Sequence, residues 1–246
     1  IEAFVHGAMC MSYSGRCLLS SFFTGRDANQ GACTHPCRWK YSLMEEKRPG
    51  EYYPVFENDR GSYIFNSKDL NMIAHIPDLI EAGVDSLKIE GRMKTELYVA
   101  TVTRTYKMSI RDYLEDPAKY QRNIPFYEDE IRKCTYREYS TGFYYQKPTE
   151  EDQIYGNNTY KAGATYLGTV EKVEGNYAFL TQKNKFSVGE RIAIMRPGQE
   201  DILTEVLEME DLESGEKINS CPHSKQQLKL RFSVLPGVQD VLRRME

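Results

Sequence analysis

Four of the six cysteines lie in one short glycine- and serine-rich stretch, Cys10-x(6)-Cys17-x(15)-Cys33-x(3)-Cys37. Thiolates gathered in a loop are soft ligands, and four of them make a complete donor set for zinc or for an iron-sulfur cluster. Spacing leaves the choice open. Only Cys33 and Cys37 approach the knuckle of structural zinc, while Gly7, Gly15, Gly25 and Gly31 suit the close backbone approach of a cluster, so spacing favours iron-sulfur slightly. No charged segment followed by an apolar run opens the chain, so disulfides of the secreted type are not expected. Cys134 and Cys221 stand apart in the sequence and are expected as small buried hydrophobes.

Other chemistry-bearing residues lie around this stretch and further along. His6 precedes the first cysteine and His35 sits between the last two. Arg38-Trp39-Lys40 is a basic and aromatic patch that could stack bases and meet phosphates, and it holds the single tryptophan. Asn66 ends a β-prone run. Lys88, Glu90 and Arg92 alternate along and just beyond another, a parity that would aim three charges to one side of a sheet.

These groups need elements to hold them. Glu2 to Gly7 is compatible with a strand placing Glu2, Phe4 and His6 on one side and Ala3 and Val5 on the other. Ser62 to Asn66 is β-prone, and from Ser67 as N-cap the residues Leu70, Ile73, Ala74, Ile76 and Leu79 keep helical spacing past Pro77 up to Gly83. Val84 to Glu90 is the next strand, and Thr95 to about Leu114 the next helix, with Leu97, Val102, Tyr106, Ile110 and Leu114 toward the core. Strand, helix, strand, helix predicts a parallel (β/α) arrangement of the TIM type, whose strand C-terminal ends share one face. Gly7 to Cys37, Asn66 and the Glu90 to Arg92 turn would lie on that face. Residues 117–162 look like an irregular connection. From residue 163 short β-prone runs at 166–173, 177–182, 191–195, 202–209 and 228–234 alternate with turn signals at Gly175-Asn176, Pro197-Gly198 and Ser214-Gly215, which predicts a small antiparallel barrel or sandwich.

The 246 residues suffice for one large or two ordinary domains. A net charge of −4 gives no global basic signal, so a polyanion would have to meet a local patch. No apolar run reaches the ~18 residues of a membrane span, and the expected setting is soluble and cytoplasmic, with no membrane partner.

Longer motifs carry a resemblance. Glu2-x-Phe4-x-x-Gly7-Ala8-Met9-Cys10-x(4)-Gly15-x-Cys17-x-Leu19-Ser20 resembles the signature of the peptidase U32, or collagenase-like protease, family. Arg26-Asp27-x-Asn29-Gln30-Gly31, Arg48-Pro49-Gly50-Glu51-Tyr52, Asn66-Ser67-Lys68-Asp69-Leu70, Ser86-Leu87-Lys88-Ile89-Glu90-Gly91-Arg92 and Asn184-Lys185-Phe186-Ser187-Val188-Gly189 resemble its tRNA-hydroxylating branch. The resemblance implies a [4Fe-4S] cluster on Cys10, Cys17, Cys33 and Cys37. It also implies oxygen-independent 5-hydroxylation of the tRNA wobble uridine, with prephenate as the small-molecule hydroxyl source. His6, Lys88, Glu90 and Arg92 would be catalytic around the small-molecule pocket, Asn66 would help bind the cofactor, and Arg38, Trp39, Lys40 and the β module would meet RNA. It further implies that the chain, which opens at Ile1, is N-terminally truncated and carries only the C-terminal part of the TIM-like barrel, which a partner subunit could complete. The family's name keeps a peptidase as the alternative, although neither an HExxH nor a Gly-x-Ser-x-Gly element is present. An inactive RNA-binding fragment is a third reading.

Overall fold

Thr95 and Asp116 start the two longest helices, and each does so with its side chain. The Thr95 hydroxyl accepts from the Tyr98 N–H at 3.2 Å, and the Asp116 carboxylate accepts from the Ala118 N–H at 2.9 Å, with Pro117 in the first turn. A computed structural model of the chain describes residues 1–10, 17–39, 42–44, 49–50, 52–54, 67–92, 94–147, 149–152, 154 and 161–246. In chain order the elements are β1 (Glu2–Ala8), α1 (Leu19–Thr24), β2 (Ser42–Met44), β3 (Tyr52–Pro54), β4 (Asp69–Asn71), α2 (Ile76–Glu81), β5 (Ser86–Ile89), α3 (Glu96–Glu115), α4 (Pro117–Arg132) and β6 (Tyr139–Ser140). Six strands follow: β7 (Ala164–Glu174), β8 (Tyr177–Thr181), β9 (Arg191–Met195), β10 (Ile202–Asp211), β11 (Gln227–Phe232) and β12 (Val241–Met245).

Contacts divide the chain into two units, one of residues 1–2, 73–136 and 160–246 and the other of residues 3–72 and 137–159. In the first, β7 to β12 close into an antiparallel barrel in the order β10-β11-β8-β7-β12-β9, with β9 paired back to β10. Alternate residues of β8 and β11 point inward, and Leu167, Val170, Leu180, Phe186, Ile194, Val206 and Leu230 fill the interior. Extra residues in β7, against both β8 and β12, and in β10 supply the bends that closure needs. The expected turns at Gly175, Pro197 and Ser214 are present. The sixth strand, β12, is an addition to the five runs expected.

The helical part of the same unit packs α3 on α4. Leu97, Val102 and Tyr106 are buried as expected, whereas Leu114, in the last turn beyond the buried residues of the helix, is exposed. The carboxylate of Asp112 accepts from Tyr127 Oη at 2.6 Å, Asn123 Nδ2 at 3.1 Å and Lys119 Nζ at 2.8 Å. Burial pushes this carboxyl up, but these donors more than offset it and hold it at about 2.

A charged network buried in the unit ties helices and barrel together. Arg243 of β12 donates to Glu130 of α4 at 2.8 Å and to Asp201 at 2.6 Å, and Arg104 of α3 pairs with the same two carboxylates. Arg243 has no exposed surface. Burial alone would raise Glu130, yet Arg243, Lys133 and Arg104 hold it at about 2.

The second unit contains β1, β4 and β6. β4 runs antiparallel to β1, with His6 opposite Asn71 and Ala8 opposite Asp69, and parallel to β6, with Asp69 opposite Tyr139.

Three expectations are corrected here. Asp69–Asn71 is a strand rather than the start of a helix. Its backbone is taken by β1 and by the Glu138 carbonyl, and Pro77 stands in the first turn of α2, so that helix begins at Ile76. β4 antiparallel to β1 departs from the all-parallel order. Residues 117–132, expected to be irregular, form α4. The anticipated strand at 62–66 lies outside the described residues. On β1, Val5, His6 and Gly7 are all buried, so its two faces do not alternate between core and solvent.

Candidate functional site

The cysteine region hangs from the C-terminal end of β1, and that end is held firmly. Asp69 and Arg137, both fully buried, form an ion pair in which the Arg137 Nε donates to Asp69 Oδ1 at 3.1 Å and its backbone N–H to Oδ2 at 3.3 Å. The Tyr144 hydroxyl donates to the Phe4 carbonyl at 2.7 Å. Gly142 takes φ +58°, where glycine is unstrained, and a Cβ there would lie 3.1 Å from the side-chain ends of Leu70 and Met9, so another residue would strain the turn and push on the residue before Cys10. His6 is buried in the same sheet, its ring centroid 5.4 Å from that of Tyr139.

Beyond the strand, Cys10 is exposed and Cys17, Cys33 and Cys37 are half-buried, all in the second unit. The other two thiols behave differently. Cys134 and Cys221 are fully buried and donate to the carbonyls of Ile131 and Phe186, both at 3.3 Å, and burial pushes the Cys221 thiol up. This matches the division expected from the sequence.

Between Cys17 and Cys37 the local structure is well bonded. α1 ends on Gly25 at φ +67°, whose N–H returns to the Ser21 carbonyl. Ser20, buried on α1, lies 3.1 Å from the Thr34 hydroxyl and accepts from the Thr34 N–H at 3.0 Å; Thr24 reaches the same hydroxyl at 3.2 Å. The helix is thus fastened to the residue next to Cys33. His35 then adopts φ +55°, a left-handed turn uncommon outside glycine, and its N–H points at Cys33 Sγ at 3.4 Å. It caps the 3-10 turn Pro36–Arg38 that carries Cys37.

An amide aimed at a sulfur, partial solvent access and a four-thiol donor set fit an iron-sulfur cluster, whose thiolates accept such hydrogen bonds. Among the described residues no group of three or more His, Cys, Asp or Glu side chains converges as around a single metal ion.

The remaining expected residues are more dispersed. Arg38 belongs to the 3-10 turn, Trp39 follows it and is exposed, and Lys40 and Asn66 lie outside the described residues. Lys88, Glu90 and Arg92 are exposed and belong to the first unit, whereas His6 belongs to the second. Arg92 lines a cleft of about 1030 Å³ bounded by the end of β5, the start of α3 and strands β7, β8 and β12. Lys94 and Lys183 also line it, and so do Glu96 and Glu171. The Tyr166 hydroxyl donates to Glu96 inside the cleft; burial, and then this carboxylate, push the phenol up.

Residues 1–154 match peptidase family U32, and residues 163–243 match the peptidase family U32 C-terminal domain. The chain belongs to peptidase family U32. This U32 chain is 36% identical to tRNA hydroxylation protein P1 of Bacillus subtilis, over 94% of its own length and 55% of the relative. It is 36% identical to tRNA hydroxylation protein P of Escherichia coli, over 80% of its length and 52% of the relative. A protein named collagenase from Porphyromonas gingivalis is 32% identical over 88% of the chain and 59% of the relative. The chain spans about half the length of the curated relatives it matches.

Sequence reasoning missed Ser20, Thr34, Phe22 and Phe23 as parts of this region. The signal available was the Ser20-Ser21-Phe22-Phe23 order itself, in which polar and aromatic residues occupy opposite sides of one helical turn.

Proposed function

We propose that this U32 protein takes part in hydroxylation of tRNA, at C5 of the wobble uridine, with a small-molecule hydroxyl donor such as prephenate. The observation that carries the reading is the 36% identity, across nearly the whole chain, to a protein named for tRNA hydroxylation. Cys10, Cys17, Cys33 and Cys37 would hold a [4Fe-4S] cluster, and such a cluster supplies one-electron chemistry or a Lewis-acidic iron. The chain's own residues do the rest. The Asp69–Arg137 pair and Gly142 fix the strand end from which Cys10 leaves, and the Ser20–Thr34 bonds fix the loop of Cys33. Trp39, with Arg38 and Lys40, meets RNA. His6, Lys88, Glu90 and Arg92 remain the proposed catalytic groups and Asn66 a cofactor contact. The succession β4, α2, β5, α3 supports treating the α/β part as a portion of a TIM-type barrel, and a tRNA substrate supports a cytoplasmic setting.

A peptidase would need an activated nucleophile with a base in reach. Cys134 and Cys221 are buried, and the other four thiols are committed to the cluster on this reading, so the collagenase relative weighs less. Nucleoside mass spectrometry of tRNA from a strain lacking the gene should show loss of 5-hydroxyuridine derivatives, restored by the wild-type gene and not by a Cys33→Ala, Cys37→Ala variant. Unchanged modification in a strain without a second U32 protein overturns the proposal, and gelatin cleavage independent of the four cysteines would replace it with the peptidase.

A further inference from the structure

α1 is built inside out. Its buried residue is Ser20, held by Thr34, and Leu19 is half-buried, while its aromatic residues face solvent: Phe22 is 82% exposed, Phe23 46% and the preceding Leu18 77%. Trp39, 45% exposed, joins them, with its ring 6.3 Å from that of Phe23 at 49°, and Phe22 meets Phe23 edge-on at 5.2 Å and 80°. Edge-on packing leaves most of the Phe22 ring in solvent, and the rings of Phe23 and Trp39 each keep close to half of their surface exposed. Three aromatic rings on one exposed patch, raised on a helix whose inner side is hydrogen-bonded rather than greasy, are not explained by core formation.

We propose that Phe22, Phe23 and Trp39 form a stacking platform for an unpaired base of an RNA loop, held beside the cysteine region. The inference rests on the tRNA reading above. Aromatic faces accept any base, whereas an aliphatic patch would favour a protein partner. Between Phe22 and Lys40 the basic residues Arg26, Arg38 and Lys40 outnumber the one acid, Asp27, which suits the phosphates on either side of a stacked base. The platform is also placed for the job: Ser20 and Thr24 bond Thr34, the neighbour of Cys33, so a base stacked on α1 is held at a fixed distance from that thiol.

Trp39 is the single tryptophan, so its emission reports on this patch alone. The full chain should be titrated with unmodified tRNA and with a single-stranded RNA of about 10 nucleotides. Binding should quench Trp39, and Phe22→Ala and Phe23→Ala should each weaken it ~5- to 150-fold, with Phe22→Tyr close to wild type and the circular dichroism unchanged. RNA binding of unaltered affinity in both alanine variants overturns the platform and leaves the tRNA reading standing. Wild-type protein that binds neither RNA overturns both. Self-association abolished by Phe22→Ala, with RNA affinity unchanged, assigns the surface to a second copy of the chain and overturns the platform.

Discussion

Arg243, in the last strand, donates to Glu130, in the second long helix, across 2.8 Å with both side chains buried. Removing one member of a buried pair leaves a charge without compensation, which costs about 3–5 kcal/mol. Glu130→Gln leaves Asp201 to serve both Arg104 and Arg243, and should lower stability by up to about that amount in urea unfolding. Glu174→Gln, at an exposed pair with Lys172, should change it by less than about 1 kcal/mol.

The same carboxylate predicts an acid limb. Glu130 is held at about 2 against an ordinary 4.5, and Asp112 at about 2 against 3.8. Both are lowered on folding, so their contribution is complete above about 4.5 and drains away as pH falls toward 2. The urea midpoint should therefore fall steeply across that interval in wild type and less steeply in Glu130→Gln. An equal slope in the variant would remove Glu130 from the account.

Asp69→Asn should loosen the sheet from which the cysteine region departs. Arg137 would lose the carboxylate that accepts from its Nε and its backbone N–H, and amides of β1, β4 and β6 should exchange about tenfold faster, whereas those of the β7–β12 barrel should not change. Uniform acceleration across both units would show that the pair acts on the whole molecule rather than on this sheet.

The cysteines should separate into two classes under brief native alkylation, read by peptide mass spectrometry. Metal-free protein should be modified at Cys10 first, then at Cys17, Cys33 and Cys37, with Cys134 and Cys221 protected until unfolding. Anaerobic reconstitution with iron and sulfide should then protect all four accessible thiols and give a brown protein. A colourless product whose four thiols still react would exclude the cluster.

Much of this was legible in local sequence. The barrel strands announced themselves because inward and outward residues alternate and turn residues separate them, and α3 because Thr95 caps a long apolar stripe. What stayed hidden depends on distant partners. Arg243-Arg244 inside Val241–Met245 reads as surface until the carboxylates of Glu130 and Asp201 are brought to it. In α4 the Asp116-Pro117 start and the Tyr120, Tyr127, Ile131 stripe were readable, but Pro125 and the many charges obscured them. Asp69–Asn71 carries helical spacing in sequence and becomes a strand because β1 and Glu138 take its backbone. The four cysteines could be picked out by spacing; the hydroxyls that bind α1 to them could not, since Ser20 and Thr34 only meet once the loop has turned.

The boundary between the two family matches, near residues 154 and 163, falls between Glu130 and Arg243. An exchange of the C-terminal module between relatives at that seam would therefore import or discard one half of a buried ion pair. Chimeras made there should survive only when the incoming strand brings a cation to the position of Arg243, so the two modules are heritable as a matched set rather than as interchangeable parts.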